Sequence, residues 1–338
     1  MKGLRIWVMA LGLGALLAPT CFGQLHWETR KIIGGHTWAT GGPVKWGDAV
    51  YYNDRRTGNN DVYVWTEAAG EQPLISGADS VAVWGVYENK LAVTKYVNSQ
   101  YDLYLYDPLA GLQPISTAAG SQYNADMYGD LVVYEDNSTG VPQVWAWDPV
   151  NGNRPLDPTG KPQNGPRVYN GRVVWTDGRN YSPYNERTDV YSWTAEEGVT
   201  RLSTAYFSAG GPDIFGDRVA MHVYDTIYPD PEGTWEWREG QGISPLLPGV
   251  SGNNLRMWGD LLAWPGSGGP VVYYPALGVT HLATSGTVYS LDVYGNSVVW
   301  ADNYYDIWMA ELVPEPSAFF TLASFAGLLV SLRRRRQK

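Results

Sequence analysis

Acidic and basic residues alternate at one position of a pattern that recurs along the chain. The position lies two residues before an aromatic residue, and five successive copies place there Asp126, Arg167, Asp213, Arg256 and Asp292. Carboxylate and guanidinium groups brought together by a fold can form ion pairs. They can also line a polar cavity for a small charged or sugar-like ligand. We favour the ion-pair interpretation and keep the ligand site as its alternative.

The other residues of catalytic or metal-binding type form no recognisable motif. The four histidines are widely spaced, and the sequence contains no HExxH, GxSxG or P-loop motif. Aspartates recur beside a predicted hairpin at Asp54, Asp61, Asp136, Asp177, Asp189, Asp302 and Asp306. Hairpin aspartates usually accept hydrogen bonds from their own turn, and cation binding in a loop such as NDRRTGNND is the alternative. We therefore predict no catalytic residue, no metal site and no cofactor.

The recurring pattern indicates a repeat fold. Its copies include VKWGDAVYY, DMYGDLVVY, DIFGDRVAM and RMWGDLLAW. The seven aromatic residues are Trp46, Tyr87, Tyr128, Tyr169, Phe215, Trp258 and Tyr294. Successive spacings of 41, 41, 41, 46, 43 and 36 residues are typical of propellers or solenoids. Within each copy, turns separate four short apolar segments rich in Tyr and Trp, which is the content of one propeller blade.

These features resemble the TolB-like, or WD40-like, β-propeller repeat, in which a Gly-Asp turn precedes an apolar strand and an Asp-initiated strand follows the hairpin. The resemblance covers about residues 25–312. It implies an all-β fold, a seven-bladed β-propeller of four-stranded blades, whose innermost strands carry the alternating charges. The last copy has only three strands, and WETRKIIGG at 27–35 is similar to outermost strands such as GVTRLSTAY. We therefore predict that the N-terminal strand pairs with the last blade and closes the ring.

The two ends of the chain have the features of export signals. Residues 1–23 combine a basic start, an apolar run and small residues at the cleavage position, as a signal peptide does. Residues 313–338 contain the motif Pro314, Glu315 and Pro316, an apolar run at 318–332 and arginines at 333–336. This order resembles the PEP-CTERM sorting signal, which implies a transient transmembrane helix and processing by an exosortase. The propeller would then occupy residues 24–312.

The charge of the predicted propeller excludes some partners. Without the two terminal segments the chain has 17 basic and 33 acidic residues, a formal net charge of −16. A surface of this charge repels nucleic acid and anionic lipid. The single cysteine, Cys21, lies in the predicted signal peptide, so the mature protein would have no disulfide.

These features together favour a non-catalytic protein of the cell surface or extracellular matrix. The propeller would bind an exopolysaccharide or a surface protein, and only the helix before cleavage would contact the membrane. Five tyrosines in predicted loops are candidates for stacking on sugar rings: Tyr181, Tyr184, Tyr228, Tyr304 and Tyr305. The alternatives are a secreted glycan-active hydrolase or lyase and a periplasmic, TolB-like envelope accessory. The sequence leaves the ligand and the oligomeric state open.

Overall fold

The computed structural model covers most of the predicted propeller. The described residues are 25–34, 42–77, 79–180, 187–204, 207–226, 232–250, 252–284 and 286–314. The predicted signal peptide and the sorting segment from Glu315 onward lie outside them, so both stay predictions. Within the described ranges no helix has the length and apolar character that crossing a membrane requires.

Strands make up nearly all of the described structure. Strand β1 (Leu25–Ile33) precedes the first blade. Blade 1 contains β2 (Val44–Trp46), β3 (Ala49–Asp54), β4 (Asp61–Thr66) and β5 (Gly70–Ile75). Blade 2 contains β6 (Val81–Tyr87), β7 (Lys90–Val97), β8 (Gln100–Asp107) and β9 (Gly111–Ser116). Blade 3 contains β10 (Gln122–Tyr128), β11 (Leu131–Asp136), β12 (Gln143–Asp148) and β13 (Gly152–Pro155).

The second half of the chain repeats this arrangement. Blade 4 contains β14 (Gln163–Tyr169), β15 (Arg172–Asp177), β16 (Asp189–Thr194) and β17 (Gly198–Arg201). Blade 5 contains β18 (Phe207–Phe215), β19 (Arg218–Thr226), β20 (Gly233–Arg238) and β21 (Gly242–Pro248). Blade 6 contains β22 (Arg256–Trp258), β23 (Leu261–Trp264), β24 (Val271–Tyr274) and β25 (Gly278–His281). Blade 7 contains β26 (Val288–Tyr294), β27 (Ser297–Asp302) and β28 (Ile307–Pro314).

Each blade is a four-stranded sheet in which strands consecutive in sequence are neighbours. The predicted all-β, seven-bladed propeller is therefore confirmed. The first strand of each blade lies nearest the axis, and the Gly-Asp turn joins it to the second strand, as Tyr128 pairing with Leu131 illustrates. We call the face of the ring with these turns the turn face, and the opposite face, where the innermost strands begin, the mouth face.

The Gly-Asp phrase recurs because the turn after each aromatic residue needs a left-handed backbone. The first turn residue has a positive φ in all seven blades, and such a φ costs glycine little. The residues are Gly47, Glu88, Gly129, Asn170, Gly216, Gly259 and Gly295. Blades 2 and 4, which lack glycine here, keep the same geometry with Glu88 and Asn170 at φ of 54° and 46°.

Strand β1 closes the ring as predicted. It is the outermost strand of the blade 7 sheet, in the order β1-β28-β27-β26. Ile33 is buried in a cluster that joins Val299 and Met309 of blade 7 to Tyr52 of blade 1. Arg30 forms a salt bridge of 2.6 Å with Glu67 of blade 1. The strand therefore packs on both sides of the junction between the first and last blades.

Four of the seven hairpin aspartates cap their own turns, as predicted, whereas Asp61, Asp189 and Asp306 accept hydrogen bonds from the side chains of Thr57, Arg201 and Lys31. Asp54 accepts a hydrogen bond from the backbone N–H of Arg56, at 2.7 Å, and Asp177 accepts one from Arg179, at 2.8 Å. In blades 3 and 7, Asp136 and Asp302 likewise accept a hydrogen bond from the backbone N–H of the residue two positions later. Their burial is thus explained by backbone hydrogen bonds. Among the residues that the structure describes, no cluster of three metal-ligating side chains occurs.

Candidate binding site in the central channel

The innermost strands of all seven blades surround a central cavity of about 550 Å³. Side chains two residues apart on a strand share a face, so Asp126 and Tyr128 both point toward the cavity. Met127, between them, is buried in the core between blades. The cavity therefore has two layers, one charged and one aromatic, separated by roughly 7 Å along each strand.

The aromatic layer is a continuous belt of seven rings at the turn face. Neighbouring ring centroids are 4.6 Å apart for Trp46 and Tyr87, 4.8 Å for Tyr87 and Tyr128, 4.6 Å for Tyr128 and Tyr169, 4.7 Å for Tyr169 and Phe215, 4.8 Å for Phe215 and Trp258, 4.2 Å for Trp258 and Tyr294, and 5.0 Å for Tyr294 and Trp46. Trp46 also meets Trp258 edge-on at 5.8 Å. Tilted ring pairs at these distances are attractive. The belt thus holds the blades together around the axis.

In the charged layer, the carboxylates bind backbone of the next blade. Asp126 accepts a hydrogen bond of 2.9 Å from the N–H of Val168. Asp213 accepts one of 2.8 Å from Met257, and Asp292 one of 2.8 Å from Lys45. Three junctions between blades are therefore bridged by the same contact, and the last of them is the junction that closes the ring.

The predicted ring of ion pairs is present at only one junction. Within the described structure, the only salt bridge among these five residues joins Arg256 to Asp292, at 3.7 Å. The reason is that each carboxylate is turned toward a neighbouring backbone N–H, which sequence patterns do not reveal. The guanidinium groups of Arg167 and Arg256 donate to their preceding carbonyls, at Pro166 and Leu255.

Burial makes the charged layer electrostatically strained. Burial raises the pKa of Asp213 above its usual range and raises the pKa of Asp292 to about 6. The pKa of Arg256 is lowered, first by burial and then by the like charge of Arg167. Arg256 partly compensates both aspartates, because its charge opposes the rise in their pKa values.

Arg167 differs from Arg256 because it forms no salt bridge among the described residues, although its charge opposes the rise in the pKa values of Glu135 and Asp213. Among the described residues, none of its nitrogen atoms lies within salt-bridge distance of an acidic group, and Asp126 on the neighbouring blade is held by Val168. Its donors toward the cavity are therefore available to a ligand. Asp126 has a second carboxylate oxygen that could accept from the same ligand.

Blades 1 and 2 interrupt the charged layer. Val44 and Gly85 occupy the position that holds a charge in the other blades. A Cβ on Gly85 would lie 3.0 Å from Cα of Asp126, so the close approach of blade 3 leaves no room for a side chain. The layer is consequently polar on one side and apolar on the other, which suits a ligand with two unlike faces.

Sequence reasoning misses Lys45, a buried lysine in the wall of the site. The other six blades all have an apolar residue at this position. A lysine at an otherwise apolar position is the signal that could have revealed Lys45. Its ammonium group donates to the carbonyl of Gly47 and lies 5.6 Å from the ring centre of Tyr294. Burial lowers the pKa of Lys45. The cation therefore contacts the aromatic belt and is not free in the cavity.

Exposed aromatic side chains in the described structure share one location. They are all tyrosines on the mouth face: Tyr96, Tyr101, Tyr224, Tyr289 and Tyr304. Tyr101 lines the central cavity, while Tyr224 and Tyr289 line a second cavity nearby. Of the predicted stacking residues, Tyr304 is 58% exposed, Tyr305 is partly buried, and Tyr181, Tyr184 and Tyr228 lie outside the described residues. The sequence did not distinguish the other four exposed tyrosines, Tyr96, Tyr101, Tyr224 and Tyr289, from buried ones, because all four lie on strands.

Comparison with known proteins supports the fold. No protein-family model matches the chain, and no curated protein matches it. The propeller domain of the Trilobed protease from Pyrococcus furiosus is similar with a TM-score of 0.61 and 14% identity, over 82% of this chain and 96% of that one. That domain is described as having an open velcro topology, whereas β1 closes the ring here.

Two further solved structures are enzymes of different kinds. Oligogalacturonate lyase from Vibrio parahaemolyticus has a TM-score of 0.55 and 12% identity, over 86% of this chain and 98% of that one. Acylaminoacyl peptidase from Pyrococcus horikoshii has a TM-score of 0.56 and 11% identity, over 77% of this chain and 48% of that one. At sequence identities this low, the similarity shows only that the folds are alike. The similarities therefore support a propeller without indicating an activity.

Proposed function

We propose that this chain is the precursor of an exported surface or matrix protein whose propeller binds glycan without catalysis. The observation that carries this proposal is the gathering of exposed tyrosines on the mouth face, around a polar channel. Sugar rings have apolar C–H faces, which pack on aromatic rings, and hydroxyl edges, which exchange hydrogen bonds. Tyr101 offers such a ring at the channel, and Arg167 and Asp126 offer donors and an acceptor.

Binding without turnover is the expected result of a screen on a glycan array. We expect the purified chain to bind a subset of glycans, and Arg167→Ala to lose about tenfold in affinity for those that enter the channel, because a charge-assisted hydrogen bond to the sugar is lost. The melting temperature should change little. Product analysis on each bound glycan is the control. Release of new reducing ends would support the hydrolase or lyase alternative, and no binding to any glycan would contradict the proposal.

We further propose that the repeat is of the TolB-like type and that both ends are processing signals. The order of Pro314, Glu315 and Pro316, an apolar run and an arginine cluster supports exosortase as a transient partner. In a host with an exosortase, intact-mass measurement should give a protein that starts near Gln24 and ends near Pro316. A secreted protein that still carried the arginine cluster would contradict the sorting proposal and leave a simple membrane anchor.

A further inference from the structure

A second cavity, of about 560 Å³, lies between blades 5, 6 and 7 on the mouth face. It is lined from three blades, by His222 and Tyr224 on β19, Asn254 and Ser267 beside the strands of blade 6, and Thr287 and Tyr289 at the start of β26. We call it the Tyr224–Tyr289 groove. Asn254 also lines the central channel, so the groove and the channel are adjacent.

Two tyrosine rings form the apolar surfaces of the groove. Tyr289 is 65% exposed although it belongs to an innermost strand. Tyr224 is supported on one side by the imidazole of His222, with ring centres 4.3 Å apart. On another side it lies against backbone, since a Cβ on Gly210 would be 3.5 Å from its Cε2. One ring is therefore held in place while the other is accessible, as stacking on a ligand requires.

A buried polar atom in the groove wall has no hydrogen-bond partner in the part of the chain that the structure describes. His222 is only 5% exposed, and its Nδ1 has no hydrogen-bond partner among the described residues. Burial lowers the pKa of His222, so the imidazole is neutral at neutral pH. An unsatisfied buried nitrogen costs folding free energy, and a ligand hydroxyl would satisfy it.

The groove wall contrasts with the channel in its charge. No lining residue in the described structure is acidic or basic apart from the neutral His222, and the polar groups are amides and hydroxyls. An ionised ligand would lose its hydration there without gaining a counter-ion. An uncharged ligand with hydroxyl groups and an apolar face would gain stacking and hydrogen bonds.

We propose that the Tyr224–Tyr289 groove is a subsite for one uncharged pyranose unit of a polysaccharide. The unit stacks on Tyr289 and exchanges a hydrogen bond with His222, and the glycan chain continues past Asn254 toward the channel. This inference rests on the proposed glycan-binding function, and it adds that the subsite selects neutral sugars.

Affinity electrophoresis of the full chain tests the subsite. The probes are the neutral polysaccharides dextran, mannan and galactan, with alginate as the acidic comparison. We expect at least one neutral probe to retard the protein, and Tyr289→Ala to weaken that binding about tenfold, because the stacking surface is lost. Leu109→Ala is the control, since Leu109 is an exposed apolar side chain away from the mouth face and lines neither the groove nor the channel. Tyr289→Phe keeps the ring and should bind like the wild type.

Three outcomes would overturn the inference. Equal binding by Tyr289→Ala and Leu109→Ala would show that the groove takes no part. Binding to alginate alone would show that the recognised sugar is acidic, which leaves the proposed glycan-binding function intact. Failure of all four probes and of the glycan array would overturn both proposals together. Melting temperatures of the variants, expected within roughly 2 °C of the wild type because Tyr289 is exposed, separate lost binding from lost folding.

Discussion

Deletion of residues 25–34 is expected to lower the melting temperature by at least roughly 10 °C and to make the protein self-associate. The deletion removes the burial of Ile33 and the partial burial of Ile32 and Trp27, worth about 5 kcal/mol together. It also leaves β28 as an unpaired edge strand, which favours pairing between molecules. Thermal unfolding and size-exclusion chromatography of the deletion variant measure the two effects.

Point variants of β1 distinguish closure from a general effect of truncation. Ile33→Ala should destabilise the protein by about 3 kcal/mol, because a buried apolar side chain is lost. Arg30→Ala, on the same strand, removes only a partly exposed salt bridge and should cost less than about 1 kcal/mol. A deletion variant that stayed monomeric and kept the wild-type melting temperature would contradict closure by β1.

Arg256→Ala is expected to be the most destabilising single change in the charged layer, by about 3 kcal/mol near pH 8. The variant removes the cation that most strongly opposes the raised pKa values of Asp213, which is buried, and of Asp292, which is partly buried. Arg167→Ala is the comparison variant, because Arg167 occupies the same position two blades away, forms no salt bridge in the described structure and opposes the raised pKa of Asp213 less than Arg256 does. Thermal unfolding of both variants should show a large loss for the first and little change for the second.

The loss in Arg256→Ala should depend on pH, with a defined sign. The pKa of Asp292 in the folded protein, about 6, is above its ordinary value of 3.8, so the fold prefers the protonated form. Stability conferred by this group is therefore full below about pH 4 and falls as the pH rises toward 6. Removing Arg256 enlarges that fall, so wild type and variant should differ less near pH 5 than near pH 8. Equal losses at both pH values would contradict the electrostatic explanation.

The fold was predictable because two residues of each repeat, one with a packing role and one with a backbone role, recur visibly in the sequence. The aromatic residue and the turn residue after it, such as Tyr128 and Gly129, recur at a nearly constant spacing. The three strands of the last copy also required an outermost strand from elsewhere, and β1 was the segment that matched.

The site was predictable only in part. Spacing placed Asp126, Arg167 and the other charged residues on one layer of the channel, but their partners depend on distances between blades. Asp213 accepts a hydrogen bond from the N–H of Met257. Every residue except proline has a backbone N–H, so the sequence does not indicate which one a carboxylate will bind. The sequence also did not indicate that Tyr289 is exposed, because this residue lies on a strand as the buried tyrosines do. Its exposure depends on how three blades pack around the groove.

The aromatic belt gives the closed ring an optical signature. Trp46 belongs to blade 1 and Trp258 to blade 6, so the indole pair spans the blade that contains both the first and the last strand. Two indoles 5.8 Å apart and nearly perpendicular couple their electronic transitions, and this coupling decreases steeply with separation. The far-ultraviolet circular dichroism of the intact protein should therefore contain a paired positive and negative contribution from this indole pair, which reports on the closing junction without any introduced label.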